Sequence, residues 1–187
     1  MAQPVSILAF SGSSRRESLN KKFLAIAVQE VKAVGGDVTL IDLGDYELPL
    51  YNGDLEDASG LPANAQKLVD LIKGHTGLLI ASPEYNSSIT ALLKNTIDWC
   101  SRSDDDPFTG KVVAVVSASP GAYGGNRSLK TTQQILLHLG CHIVPAMASL
   151  PSAHKAFGPA GELTDPRALK GVQELAKALV ATAGKLA

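Results

Sequence analysis

The sequence has few of the features that mark special classes of protein. It contains only two cysteines, Cys100 and Cys141, which lack metal-ligand spacing. No apolar run is long enough to span a membrane. The residues before the first apolar run lack the basic start of a signal peptide. These absences predict a cytoplasmic protein with reduced thiols and without a membrane segment.

The sequence also lacks an excess of charge of either sign. Its 17 basic and 18 acidic side chains give a net charge of -1, which offers no electrostatic reason to expect nucleic acid or an anionic membrane as a partner. Hydrophobic residues make up 45% of the 187 residues, an ordinary globular composition. This length predicts one domain, spanning residues 1–187, with a sizeable core.

Several motifs of catalysis and phosphate binding are missing as well. Neither G-x-x-x-x-G-K-[ST] nor G-x-G-x-x-G occurs, which excludes the two best-known phosphate loops. The nucleophile elbow G-x-S-x-G is absent too. The four histidines are scattered and have no Asp or Cys partners at ligand spacing. We therefore predict no metal site and no catalytic side chain.

The stretch from Ile7 to Asn20 carries the first positive signal. An apolar run typical of a buried parallel strand gives way to a loop rich in hydroxyls and arginine, and a helical pattern begins at Leu19. Free N–H groups and the helix dipole favour an anion at such a helix start. The first loop, residues 11–18, is thus interpreted as a phosphate cradle. The alternative is that its serines serve only as helix caps.

The rest of the chain alternates apolar strand patterns with helical patterns. Strands are predicted at 5–10, 37–42, 77–82, 111–117 and 141–147, and helices at 19–34, 61–73, 90–100, 128–139 and 167–186. Residues 43–60 and 150–164 are expected to be irregular. This alternation predicts an α/β three-layer sandwich built on a five-stranded parallel sheet, in the flavodoxin-like order 2-1-3-4-5.

In that order, strands one, three and four are adjacent, so the loops that follow them converge on one ligand. The second loop, residues 83–88, is stiffened by Pro83 and offers amides and the ring of Tyr85. The third loop, residues 118–127, has three glycines that let the backbone approach a flat ligand. The alternatives are that the third loop is only a flexible turn, and that the ring of Tyr85 packs within the protein or at an interface. Phosphate at one end and a planar heterocycle at the other describe flavin mononucleotide (FMN).

These loops resemble those of the NADPH-dependent FMN reductase family, which includes quinone, chromate and azo-dye reductases. The family pattern G-S-x-R-x-x-S-x-N matches from Gly12 to Asn20, P-E-Y-N matches Pro83 to Asn86, and L-K-N-x-I-D-W matches Leu93 to Trp99. The resemblance implies phosphate contacts from the first loop, ring contacts from the second, and pyrimidine contacts from the third. The cofactor-binding residues expected from it are Ser11, Ser13, Arg15, Ser18, Leu19, Asn20, Pro83, Glu84, Tyr85, Asn86, Ser117 and Gly121.

The resemblance implies an oxidoreductase that passes a hydride from NADPH or NADH through FMN to a small acceptor, in a ping-pong mechanism. The acceptor would be a quinone, a flavin, an azo dye or chromate. The alternatives are a flavodoxin-type electron carrier, although such carriers are usually strongly acidic, and a non-catalytic flavin-sensing domain. A homodimer or homotetramer is expected, in which a second subunit buries the helix from Leu92 to Trp99 and the patch from Leu48 to Tyr51. The competing view is that Trp99 packs inside one subunit.

Overall fold

A computed structural model describes residues 5–186 of the chain. Six strands and six α-helices alternate along it, together with two 3-10 turns at Leu43–Asp45 and Ala153–Lys155. The strands are β1 (Ser6–Ser11), β2 (Asp37–Leu40), β3 (Gly77–Ala81), β4 (Val112–Ala118), β5 (His142–Ile143) and β6 (Ala148–Leu150). The helices are α1 (Leu19–Ala33), α2 (Gly53–Ser59), α3 (Ala63–Lys73), α4 (Ala91–Cys100), α5 (Asn126–His138) and α6 (Pro166–Leu186).

The strands form a parallel sheet in the order β2-β1-β3-β4-β5, which confirms the predicted topology. The fifth position of the sheet is divided between two short strands, because β6 also pairs with β4. Between the pairs Val113–Ile143 and Val116–Ala148, β4 advances three residues and its partner five. Pro145 lies in this interruption, and a proline cannot donate to a strand ladder. The single fifth strand predicted over 141–147 is therefore wrong in its extent.

Successive side chains of the central strands enter two different cores. Ile7 and Ala9 of β1 face a core shared with α1 and α6, whereas Leu8 and Phe10 face a core shared with α3, α4 and α5. The continuous apolar runs arise because helices cover both faces of the sheet. The result is the predicted three-layer sandwich.

The long segment between β2 and α3 is more regular than the predicted loop. It contains the short helix α2, whose start is capped by the Asn52 side chain accepting from Asp54 N. Pro49 is fixed to α4, since its carbonyl accepts hydrogen bonds from Trp99 Nε1 at 2.8 Å and Asn95 Nδ2 at 2.9 Å. Trp99 is fully buried. The prediction that it lies at a subunit interface is therefore wrong, and its ring packs within the chain.

The last helix, α6, has one apolar face. Val172, Leu175 and Leu179 are completely buried against the sheet, and charged residues occupy the other side. Among residues 5–186, no helix combines the length and the apolar character needed to cross a bilayer.

Candidate active site

The three loops with unusual composition lie at one edge of the sheet. β1, β3 and β4 are neighbours and run parallel, so their carboxyl ends, and the loops that follow them, are brought together. Ligands of open parallel sheets bind at this edge. The structure thus assembles the predicted site from segments about 70 and 100 residues apart in the chain.

The first loop presents hydrogen-bond donors at the start of α1. Ser18 caps the helix, with its Oγ accepting from Lys21 N at 3.3 Å and its carbonyl accepting from Lys22 N. Within the described chain, the N–H groups of Leu19 and Asn20 have no protein acceptor. Arg15 is exposed in the same loop. This donor set fits a phosphate monoester, which carries two negative charges and accepts several hydrogen bonds.

Ser11 adds a further polar group where β1 ends. Its Oγ is buried and has no hydrogen-bond partner among the described residues. The residue lies beside a cleft of about 370 Å³, which Lys21 and Asp42 also line. Buried hydroxyls nearly always have a partner. A buried hydroxyl without a partner at the start of the first loop therefore fits a site that binds a polar ligand.

The second loop is a tight turn with an uncommon backbone. Tyr85 and Ser88 exchange two backbone hydrogen bonds of 3.0 Å, and between them Asn86 and Ser87 adopt φ angles of 51° and 65°. Positive φ at both central residues is the geometry of a type I′ turn, which is strained for residues other than glycine and asparagine. The turn holds the rings and amides of Tyr85 and Asn86 out at the surface, while Pro83 is buried.

Glu84 ties the second loop to the third. Its Oε2 accepts from the backbone N–H of Arg127 at 2.9 Å and of Ser128 at 3.4 Å, and its Oε1 lies 3.3 Å from Nη1 of Arg127. A carboxylate at a helix start satisfies free N–H groups and complements the dipole. The Glu84 side chain is therefore directed to α5, which leaves the backbone of this residue for the predicted ring contact.

The glycines of the third loop have two different functions. A Cβ on Gly125 would lie 1.9 Å from Ser117 Oγ, and one on Gly124 would lie 2.7 Å from Pro151 N. Both residues also have positive φ. These two glycines are thus required for packing, a role that the sequence interpretation did not include. Gly121 is exposed, and a Cβ there would come no nearer than 3.7 Å to Ser119 Oγ.

A cluster of buried hydroxyls lies beneath the second and third loops. Ser117 Oγ donates to the Ser82 carbonyl at 2.6 Å, and Ser128 Oγ lies 2.8 Å from the same carbonyl. Thr132 Oγ1 is 2.8 Å from Ser82 Oγ. Ser82, Ser128 and Thr132 were not predicted as site residues from the sequence. The signal that was available is the i, i+4 spacing of two hydroxyls on the face of α5 that also bears Leu129.

Two further side chains, at the starts of α1 and α4, tie the segments around the three loops together. Asn20 pairs both of its amide atoms with the backbone of Ala118, and Thr90 Oγ1 donates to the Gly12 carbonyl at 2.7 Å. Together with the contacts of Glu84, these bonds join the three loops, or the helix starts that directly follow them, in pairs. Such cross-bracing fixes the shape of the site before a ligand binds.

Most of the predicted site residues are brought to this edge, and their contacts with a ligand stay predictions. Ser117 is fully buried under Gly125 rather than at the surface of the site. Among the described residues, no three His, Cys, Asp or Glu side chains come close enough to hold a metal ion.

Comparison with known proteins identifies relatives that cover nearly the whole chain. Residues 5–155 match the family model described as NADPH-dependent FMN reductase. An NAD(P)H-dependent FMN reductase of Pseudomonas aeruginosa is 36% identical over 96% of this chain and 95% of its own length, and a quinone reductase of Pseudomonas putida is 37% identical over 88% of each. In the solved structure of FerB, a flavoenzyme NAD(P)H:(acceptor) oxidoreductase from Paracoccus denitrificans, the similarity covers 97% of this chain and 98% of that one, with a TM-score of 0.77 and 32% identity.

Proposed function

The chain belongs to the NADPH-dependent FMN reductase family, and we propose that it reduces quinones with NADPH or NADH through bound FMN. The observation that carries this proposal is the set of free donors at the start of α1, joined to two braced loops at the same edge of the sheet. One anion site and one surface for a flat ring match the two ends of FMN. The motif pattern of the loops supports the same cofactor.

The residues of the first loop suit the phosphate. The N–H groups of Leu19 and Asn20, the hydroxyl of Ser18 and the guanidinium of Arg15 would donate to it. The exposed turn of the second loop, with Tyr85 and Asn86, and the open backbone at Gly121 would flank the ring. Ser13 orients the loop, since its Oγ accepts from Arg15 N at 3.3 Å.

When bound, FMN supplies the two-electron chemistry, since a flavin accepts a hydride from a nicotinamide and yields it to an acceptor. The overall reaction consumes one nucleotide, one proton and one quinone, and gives the oxidised nucleotide and a quinol. The groups of the chain itself bind the cofactor, orient its ring and polarise it. Backbone N–H groups of a rigid loop stabilise negative charge without reorganising. We expect both substrates to use one open face in turn, which gives ping-pong kinetics.

Quinones are favoured over chromate by the side chains around the site. Tyr85 and Tyr123 are 52% and 66% exposed on the second and third loops. Exposed aromatic rings stack on flat, uncharged molecules but offer little to a tetrahedral oxyanion. The name of the Pseudomonas putida relative supports the same class. Free flavin and azo dyes are flat as well and remain in the test.

Steady-state turnover tests the proposal. The purified protein should release FMN and turn over NADPH or NADH with a quinone, giving parallel double-reciprocal lines. Free flavin, an azo dye and chromate are assayed alongside. Intersecting lines, which indicate a ternary complex, would contradict the mechanism. FMN binding without turnover on any small acceptor would instead favour the flavodoxin-type carrier, which passes electrons to a protein.

Assembly as a homodimer or homotetramer is part of the proposal. Leu50 is 80% exposed, although its neighbours Pro49 and Tyr51 are both held to α4 by hydrogen bonds. Because the backbone around Leu50 is already fixed, burial of this side chain by a second subunit would cost little ordering of the chain. Leu50→Asp should lower the molar mass measured by light scattering, whereas Leu40→Asp, at a 53% exposed control position, should not. A wild-type monomer with full activity would contradict this part.

A further inference from the structure

Asn20 makes an unusual pair of contacts. It is the second residue of α1 and is only 5% exposed. Its Nδ2 donates to the Ala118 carbonyl at 2.8 Å, and its Oδ1 accepts from Ala118 N at 2.9 Å. The carboxamide therefore satisfies both backbone groups of one residue, 98 positions away in the chain. Of the standard side chains, only Asn and Gln carry such a donor and acceptor side by side.

The backbone of Asn20 lies at the phosphate end of the proposed site, opposite the end that its side chain contacts. Its N–H belongs to the first turn of α1, which offers free donors to an anion. Ala118 is the last residue of β4, where the third loop begins. A single residue thus links the group that would hold a phosphate to the strand end from which the ring-binding loop starts.

We propose that Asn20 is a positioning residue that sets the third loop relative to the first turn of α1. In this role it acts on the ring end of the flavin through Ala118, and its side chain is not a phosphate ligand. The inference rests on the proposed FMN site. The family resemblance, by contrast, implies a phosphate contact for this residue.

The two roles predict different losses when the side chain is removed. Without the carboxamide, the N–H and carbonyl groups of Ala118 are left buried and unpaired, which is unfavourable and displaces the strand end. The ring is then held less well, whether or not the flavin carries a phosphate. Loss of a phosphate ligand instead weakens FMN and leaves riboflavin unaffected, because riboflavin has no anion.

The experiment measures the dissociation constants of FMN and riboflavin by quenching of flavin fluorescence. Asn20→Ala should weaken both flavins by a similar factor, about tenfold. Arg15→Ala serves as the phosphate comparator and should weaken FMN alone. Gln29→Ala is the matched control, since Gln29 is an exposed amide further along α1, and it should change neither constant. A loss confined to FMN in Asn20→Ala would overturn the proposal, as would no loss at all.

A spectroscopic readout separates positioning from mere stability. At saturating FMN, the visible circular dichroism of the bound flavin should change in Asn20→Ala and stay like wild type in Arg15→Ala. An unchanged spectrum in Asn20→Ala would overturn the proposal. If that variant does not fold, Asn20→Ser, which retains a hydroxyl, is measured by the same criteria. Failure of the wild type to bind FMN would contradict the proposed function, and this outcome differs from a failure of the Asn20 proposal, in which the wild type binds FMN normally.

Discussion

The first and third loops leave the same edge of the sheet, two strand positions apart, and are held in different ways. Residues 14–17 of the first loop are exposed, and the ion pair between Glu17 and Lys22 lies at the surface. The third loop has Gly124 and Gly125 buried, and Glu84 and a cluster of hydroxyls hold the chain around it. The exposed loop suits recognition by charge, and the braced loop suits recognition by shape.

The largest expected effect comes from breaking the packing of the braced loop. Gly125→Ala places a Cβ against Ser117 Oγ at a φ of 81°. A left-handed backbone costs a residue with Cβ roughly 1–2 kcal/mol, and overpacking costs roughly 1–3 kcal/mol more. Thermal unfolding should shift down by roughly 5–15 °C.

Gly121→Ala is the matched control for this variant. That position is exposed, and the added methyl group would come no nearer than 3.7 Å to its closest neighbour, Ser119 Oγ. The thermal midpoint should change by no more than about 1–2 °C, as for an ordinary surface substitution. Equal midpoints for the two variants would show that the third loop is not braced as described.

Removal of charge from the exposed loop has the next largest effect. Arg15→Ala should weaken FMN roughly ten- to a hundredfold, because a hydrogen bond to a charged group contributes about 1.5–3 kcal/mol. The thermal midpoint of the flavin-free protein should stay within about 1–2 °C of wild type, since Arg15 is exposed. Titration with FMN and riboflavin, together with calorimetry, measures both quantities. An equal loss for the two flavins would contradict the assignment of the phosphate to this loop.

The ion pairs Glu84–Arg127 and Glu17–Lys22 should differ in their contribution to stability, by a smaller amount. Glu84→Gln removes a charge from a side chain that is 13% exposed and caps α5, so it should lower stability by about 1 kcal/mol. Glu17→Gln affects a pair whose side chains are 72% and 50% exposed, and should have no measurable effect on stability. Because salt screens charges, the loss in Glu84→Gln should shrink in 1 M NaCl. A larger loss of stability in Glu17→Gln than in Glu84→Gln would contradict the description of the first loop as the less tightly held of the two.

The sequence predicted the elements that local pattern determines. Apolar runs indicated the central strands, and the abrupt change of composition after β1, β3 and β4 located the three loops. The helix α2 was missed because its seven residues bury none of their side chains, so no apolar period marks it. The cap at Asn52 and the glycine that ends it were the available signals.

Partners distant in the chain could not be predicted from a single sequence. Asn20 meets Ala118 across 98 residues, and Trp99 meets Pro49 across 50. Spacing along a helix shows which face a side chain occupies but not which backbone group it will reach. Trp99 was therefore placed at an interface, when its indole N–H is satisfied inside the fold.

The smallest expected effect concerns the two buried thiols at the opposite edge of the sheet, where α4 ends at Cys100 and Cys141 Sγ contacts the Phe108 carbonyl at 3.3 Å. Burial raises the pKa of both Cys100 and Cys141 to about 12, from an ordinary value of 9. Only the thiolate is nucleophilic, so neither residue should react with Ellman's reagent in the native protein at pH 8. Both should react once the protein is unfolded in guanidinium chloride. Rapid labelling of the native protein would show that the core around these thiols opens readily.

The raised pKa values of the same thiols predict how the stability of the protein changes at alkaline pH. Since their pKa is higher in the folded state than in the unfolded chain, folding favours the protonated form. Their contribution is fully present below about pH 9 and is lost as the pH rises toward 12. Lysines and tyrosines titrate in this range too, so the Cys100→Ala/Cys141→Ala double variant isolates the thiols. Its thermal midpoint should fall less between pH 8 and pH 10.5 than that of the wild type. An equal fall would mean that the two thiols ionise without opening the core, which would place water next to Cys100 and Cys141 in the folded protein.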